Sequence, residues 1–345
     1  MNILIAGLTA LCTLYTSAEA KGYRNGYQPP ERTEEELSFN HQPLPLLAEK
    51  DLPKEWNWCD VNGPNLCVSS WNQHIPVYCG ACWAHGSLSM IQDRLKIQKK
   101  GRGPDVMLGR QTLLNCGAYY GMGAGCNGGD VIDVFHYMEK FGLPDESCFT
   151  YQATDHSAFD SSLKECPANA ICRNCMPNSN ETLTCWSVKT PILYKLSSYG
   201  KLEGPKDDYA RAMQTEIFKR GPITCSIATP NDFTYGYRGG VFKGHSNSTK
   251  DDIDHDVEVV GWAVRDGVDV WIVRNSWGTF WGHLGFFEIE RGINSLRIEG
   301  SDCWYAEPDF QMEEDVISGK LQGSMYGLVG EDTQLQQVTG RITAA

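Results

Sequence analysis

Cys82, His255 and Asn275 have the residue types of a nucleophile, its base and a group that orients the base, with Gln73 as a fourth partner. A thiol is a useful nucleophile only as thiolate, and a helix N-terminus lowers its pKa through the dipole and unpaired amides. Cys82 stands where such a helix begins, in Asn72-Gln73-His74-Ile75-Pro76-Val77-Tyr78-Cys79-Gly80-Ala81-Cys82-Trp83-Ala84-His85. An adjacent imidazole stabilises the thiolate and then protonates a leaving amine. The Gln73 amide and the Cys82 N–H can together hold a developing oxyanion. In Arg274-Asn275-Ser276-Trp277-Gly278, Asn275 can accept a hydrogen bond from the imidazole while Trp277 shields it from water. Gly128 and Gly129 read as a ledge, since main chain without Cβ atoms can pair with an extended peptide. His85, His136 and His283 lack the context of a base before a strand and read as structural or surface residues.

These side chains need a helix and two neighbouring strands to meet. Leu88, Ile91 and Leu95 recur at helical spacing after Cys82, and Lys99-Lys100-Gly101 supplies a cationic last turn and a stop. Further helices are expected over Asp130–Phe141 and Asp207–Arg220. Val257–Ala263, Val268–Arg274 and Gly285–Ile289 are short β-rich runs. They place His255 at the head of one strand and Asn275 at the end of the next. A helical first half and a strand-rich second half imply an α+β molecule with two sub-domains and a cleft between them.

Cys-Gly-Ala-Cys-Trp after a glutamine, Cys126-Asn127-Gly128-Gly129, the His before a strand and Asn-Ser-Trp-Gly occur in this order within residues 51–305. Together they resemble the papain-like cysteine proteases. The resemblance implies a helical left domain, a β-barrel-like right domain, peptide and protein substrates, protein inhibitors of cysteine proteases as further partners, a monomer, and no cofactor. Gln73 and Cys82 are nine residues apart, wider than is usual in that family, because His74-Ile75-Pro76 is extra. This insertion is similar to that of the cathepsin X (cathepsin Z) branch, which removes single C-terminal residues. His74 is then expected to donate to a substrate carboxylate, with Tyr78 framing the same corner. A papain-like endopeptidase and a catalytically silent binding protein on the same fold are the competing readings.

The rest of the chain fits a secreted or lysosomal route. Residues 1–20 read as a signal peptide, with a signal-anchor as the alternative, and no later run is long and apolar enough to span a membrane. Residues 21–50 read as a short pro-segment, 51–310 as the peptidase domain and 311–345 as a low-order tail. A net charge of -13 argues against nucleic acid. Asn180 and Asn247 open glycosylation sequons. After Cys12 leaves with the signal peptide, 13 of the 14 cysteines remain, so one thiol is spare. The family resemblance implies disulfides Cys79–Cys126, Cys116–Cys148 and Cys225–Cys303. Cys166, Cys172, Cys175 and Cys185 would supply two more, a zinc site there being the less favoured alternative in an oxidising compartment. Cys59 and Cys67 are expected to clip a local loop, which leaves Cys82 free.

The sequence also departs from the pattern it resembles. Ala81 replaces the usual Ser before the nucleophile, with little effect expected. Asp256 and Glu258 flank the base where apolar or small residues are usual, and strand alternation turns them away from the Val257 side. A carboxylate so near would favour the imidazolium and move the pH optimum. Residues 21–50 hold neither a cysteine able to bond the nucleophile nor an Arg-Gly-Asp motif, both found in mammalian members of the branch.

Overall fold

The computed structural model describes residues 25–28, 32–60, 65–160, 162–300 and 302–330. The signal-peptide expectation therefore lies outside the described residues. The first half holds β1 (Trp56–Asn57), α1 (Cys82–Gln98), α2 (Arg110–Cys116), α3 (Val131–Phe141), α4 (Ala168–Ile171), and a hairpin of β2 (Arg173–Pro177) and β3 (Leu183–Ser187). There follow β4 (Lys195–Lys201), α5 (Tyr209–Arg220), β5 (Ile223–Ala228), α6 (Asn231–Thr234), β6 (Val241–Phe242), β7 (Ile253–Arg265) and β8 (Val268–Arg274). The chain continues through β9 (Phe286–Glu290), β10 (Cys303–Asp309), α7 (Gln311–Ile317), β11 (Leu321–Ser324) and β12 (Gly327–Gly330).

The three expected helices form at nearly the expected limits. Asp130 caps α3 by accepting from the Ile132 amide, and Gly221 ends α5 with a positive φ. One core lies on α1, α2 and α3, around Trp83, Leu88, Ile91, Leu113 and Phe135. A second lies between α5 and the large sheet, around Ile217, Trp262, Trp271 and Phe287. The sheet runs β4-β10-β5-β7-β8-β9-β6, with β1 also on β7, and its ends do not pair into a closed barrel. The expected barrel-like domain is thus an open, mostly antiparallel sheet, its β6–β9 pair parallel. No helix among the described residues is long and apolar enough to cross a membrane.

Among the described residues six disulfides brace this body, and three follow expectation: Cys59–Cys67, Cys79–Cys126 and Cys225–Cys303. The Cys116–Cys148 expectation is corrected to Cys116–Cys166 and Cys148–Cys172. The reason is the packing of α4 on α2: Thr112 Oγ1 donates to Ile171 O at 2.8 Å and Asn115 Nδ2 to Ala170 O at 3.0 Å. That contact brings Cys166 to the end of α2, and Cys172 to Cys148. Only Cys175 and Cys185 of the four-cysteine group pair with each other, directly opposite across the β2–β3 hairpin. Among the described residues Cys82 is the one cysteine outside a disulfide. Residues 311–330, expected as part of a low-order tail, form α7 and the β11–β12 hairpin, while 331–345 lie outside the described residues. Lys99 holds α7 through Glu313, and Tyr326 packs on Trp186.

Candidate active site

The Cys79–Cys126 disulfide and a hydrogen bond from Gly80 N to Cys126 O at 2.9 Å fix the loop that delivers Cys82 to the first turn of α1. Amides in that turn have no intrahelical acceptor and make the surroundings of the thiol electropositive. Gly86 lets α1 lie directly on β7, since a Cβ there would come within 2.9 Å of Asp256 O. The helix carrying the thiol and the strand carrying His255 are thereby in main-chain contact.

His255 lies on β7 and Asn275 follows the last residue of β8, as the pattern of strand ends requires. His255 Nε2 is 2.8 Å from Asn275 Oδ1. The amide oxygen can only accept, so Nε2 carries the proton and Nδ1, buried and without a partner, is the basic nitrogen. Trp277 stacks on the imidazole with centroids 4.8 Å apart. Ser276, seen in the sequence only as part of a motif, joins the two halves of the site. Its Oγ donates to Gln73 Oε1 at 2.7 Å, its carbonyl accepts from Gln73 N, and its own N–H donates to Asn275 Oδ1. Tyr151 adds a hydrogen bond from its hydroxyl to Gln73 O at 2.7 Å.

Residues 25–28 lie across this site. Gln73 Nε2, the expected oxyanion donor, donates to Asn25 O at 2.9 Å and to Cys79 O at 3.0 Å. Gly129 N donates to Gly26 O at 2.8 Å, and Gln28 N to Gly129 O at 2.9 Å, so the expected ledge pairs with this segment in parallel. Gly26 takes φ +120°, and a Cβ on it would stand 2.1 Å from Gly80 O. Tyr27 packs against Cys82 and Ile253. Sequence reasoning missed this placement because a polar, aperiodic stretch carries no signal of where it docks.

Covered in this way, both members of the pair are neutral. Burial pushes the Cys82 thiol well up, with the Asp256 charge adding to it. Burial takes His255 down to about 3 against the pull of Asn275, and His74 lowers it further. In this covered state Asp256 raises the thiol, its own carboxyl is pushed well up by burial, and it is not among the groups that shift His255. Alternation does turn Asp256 and Glu258 to one side, where they meet Ser226 and Arg274 respectively.

His74 is half-buried and stacks on Tyr78 at 4.8 Å, in a loop whose Ile75–Pro76 bond is cis. Burial lowers its pKa, and a hydrogen bond with the Cys79 backbone opposes that. Asn180 and Asn247 are both exposed.

Comparison with known proteins agrees with this geometry. The family described as papain family cysteine protease matches residues 52–306. Cathepsin Z of Onchocerca volvulus is 38% identical over 267 residues, covering 75% of this chain and 78% of that protein. Cathepsin B-like cysteine proteinase 3 of Caenorhabditis elegans is 34% identical over 75% of this chain and 65% of its own length. Digestive procathepsin L 3 of Tenebrio molitor is 24% identical with a TM-score of 0.58, covers 82% of this chain and 76% of that one, and supports the fold alone.

Proposed function

The chain belongs to the papain family of cysteine proteases, and from that premise we propose that it is a carboxypeptidase removing single residues from peptide and protein C-termini. Cys82 gives its proton to His255 Nδ1 and attacks the last peptide carbonyl; the oxyanion is held by Gln73 Nε2 and the Cys82 N–H. His255 protonates the leaving amine, Asn275 keeps the ring oriented, and water hydrolyses the acyl-enzyme. Gly128 and Gly129 carry the substrate backbone. The observation behind the single-residue reading is His74, stacked on Tyr78 and near enough to His255 for the two charges to repel. From there a protonated imidazole can bind a terminal carboxylate and leave room for one residue.

Residues 21–50 act as a pro-segment whose Asn25 carbonyl occupies the oxyanion donor, without a covalent tie. The protein travels the secretory route to a lysosome or the extracellular space as a monomer, glycosylated at Asn180 and Asn247. Endopeptidase action is the second reading, favoured by the exposure of Ile75, Val77 and Tyr78, each about half accessible at 56%, 54% and 48%.

Activated protein incubated with a peptide at acidic pH under reducing conditions, with products read by mass spectrometry, separates these readings. Stepwise loss of C-terminal residues is expected, and a C-terminally amidated peptide is expected to be spared. His74→Ala should lower kcat/KM for the free-acid peptide by at least tenfold, about the strength of one charge-assisted hydrogen bond. Equal cleavage of acid and amide would overturn the carboxypeptidase assignment.

A further inference from the structure

Tyr27 is only 5% exposed, and its side chain fills a pocket beside Cys82 and Ile253 while its neighbours bond to the Gly129 ledge. That pocket has an acidic wall drawn from three elements. Asp130, next after the ledge, is 3% exposed, and Asp256, next after His255, is 1% exposed. The main chain of Asp302 is joined to Asp256 through β5. Ser226 donates its Oγ to Asp256 Oδ1 at 2.7 Å and its N–H to Asp302 O at 3.0 Å, beside the Cys225–Cys303 disulfide. The Tyr27 phenol registers all three: burial raises its pKa most, Asp130, Asp256 and Asp302 add to that, and Arg297 opposes them.

With Tyr27 in place this wall is kept largely neutral: burial raises the Asp256 carboxyl well above the usual range and takes Asp130 up to about 7. Asp302 is paired with Lys201 Nζ at 2.9 Å, and Asp130 accepts from Ile132 N. Asp254, on the same strand as Asp256, is held by Thr229, and Asp133 is paired with Arg32. Asp256 Oδ2 is buried with no partner. Three carboxyls thus lie near enough to act on Tyr27, opposed by Arg297, while Lys201 is taken up by Asp302. A neutral phenol supplies no charge that would let the Asp256 carboxyl ionise. A buried unpaired carboxylate is costly, and a guanidinium or ammonium would relieve it with charge-assisted hydrogen bonds.

We propose that this pocket, vacated by Tyr27, seats the Arg or Lys side chain of the substrate residue lying on the Gly129 ledge, so that the enzyme selects substrates with a basic residue upstream of the cut. The proposal rests on the reading that Cys82 attacks a peptide held on that ledge. The selectivity comes from Asp256 and Asp302 together, with Ser226 holding the Asp256 carboxyl in place.

Two measurements test it. In the full chain, Tyr27→Arg should melt higher than Tyr27→Met, and Asp256→Asn should remove most of that difference. In activated protein, matched peptides carrying Arg or norleucine at the first or second position upstream of the cut are compared by kcat/KM. Arg should be preferred by about tenfold or more at one of them, a ratio within reach of one buried charge contact. Asp256→Asn or Asp302→Asn should collapse that ratio. Equal rates for Arg and norleucine, or a ratio unmoved by both variants, would overturn the pocket assignment. Internal cuts would sink the carboxypeptidase reading yet leave the ratio measurable. If no peptide is cleaved, the peptidase reading fails, and the melting comparison alone then decides the pocket.

Discussion

Three contacts fix the Gln73 amide, Nε2 to Asn25 O and Cys79 O and Oε1 from Ser276 Oγ, while its main chain is held by Ser276 O and Tyr151. An amide held this firmly costs little reorganisation when the Asn25 carbonyl is replaced by a substrate oxyanion. Gln73→Ala should therefore lower kcat by roughly 10²–10³-fold with a smaller change in KM, as loss of one oxyanion donor does elsewhere. Steady-state kinetics normalised to titrated Cys82 thiol would check this; a KM effect without a kcat effect would mean that Gln73 only binds. The chemistry-bearing residue types were legible because each role admits few side chains. Ser276 was less so: a hydroxyl next to Asn275 can serve many purposes until its partner is known.

At the scale of elements, the covering of the cleft depends on how closely residues 25–28 approach the loop before α1. Gly26 combines a φ of +120° with a main-chain approach to Gly80 that leaves no room for a Cβ. Gly26→Ala should lift the segment, so that uncleaved Gly26→Ala protein hydrolyses small peptides several-fold faster than uncleaved wild type. Identical latency in both would show that this segment does not control access. The helices and strands themselves were readable from periodicity, capping and glycine stops. The disulfide partners of Cys116 and Cys148 were not, because α4 is four residues long and has too little pattern to reveal its packing on α2.

Across the whole molecule, the helical half and the sheet are tied by a fully buried cluster. Arg274 of β8 lies 2.9 Å from Asp93 of α1 and 3.0 Å from Glu258 of β7. One guanidinium faces two carboxyls, and burial raises the pKa of both, with Glu258 raised further by the Asp93 charge and hydrogen bond. The folded pKa of Glu258 stands above its ordinary 4.5, so the native state binds the extra proton. The stability this proton contributes declines as pH rises from about 4.5 and is lost once pH passes the raised folded pKa. Glu258→Gln keeps the shape and a donor without the charge. It should raise the melting temperature by an amount that grows as pH increases from about 4.5, measured as a pH series against wild type. A constant offset would contradict the assignment of the proton to Glu258. By itself the sequence pointed to the residue types proposed to react and determined the principal helices and strands and the spare thiol, since these follow from local pattern and from counting. Only the tertiary structure decided what covers Cys82, which cysteines pair around α4, and that Asp256 acts on the thiol and on the Tyr27 pocket. Those outcomes depend on distances between segments far apart in the chain, set by packing that no local pattern encodes.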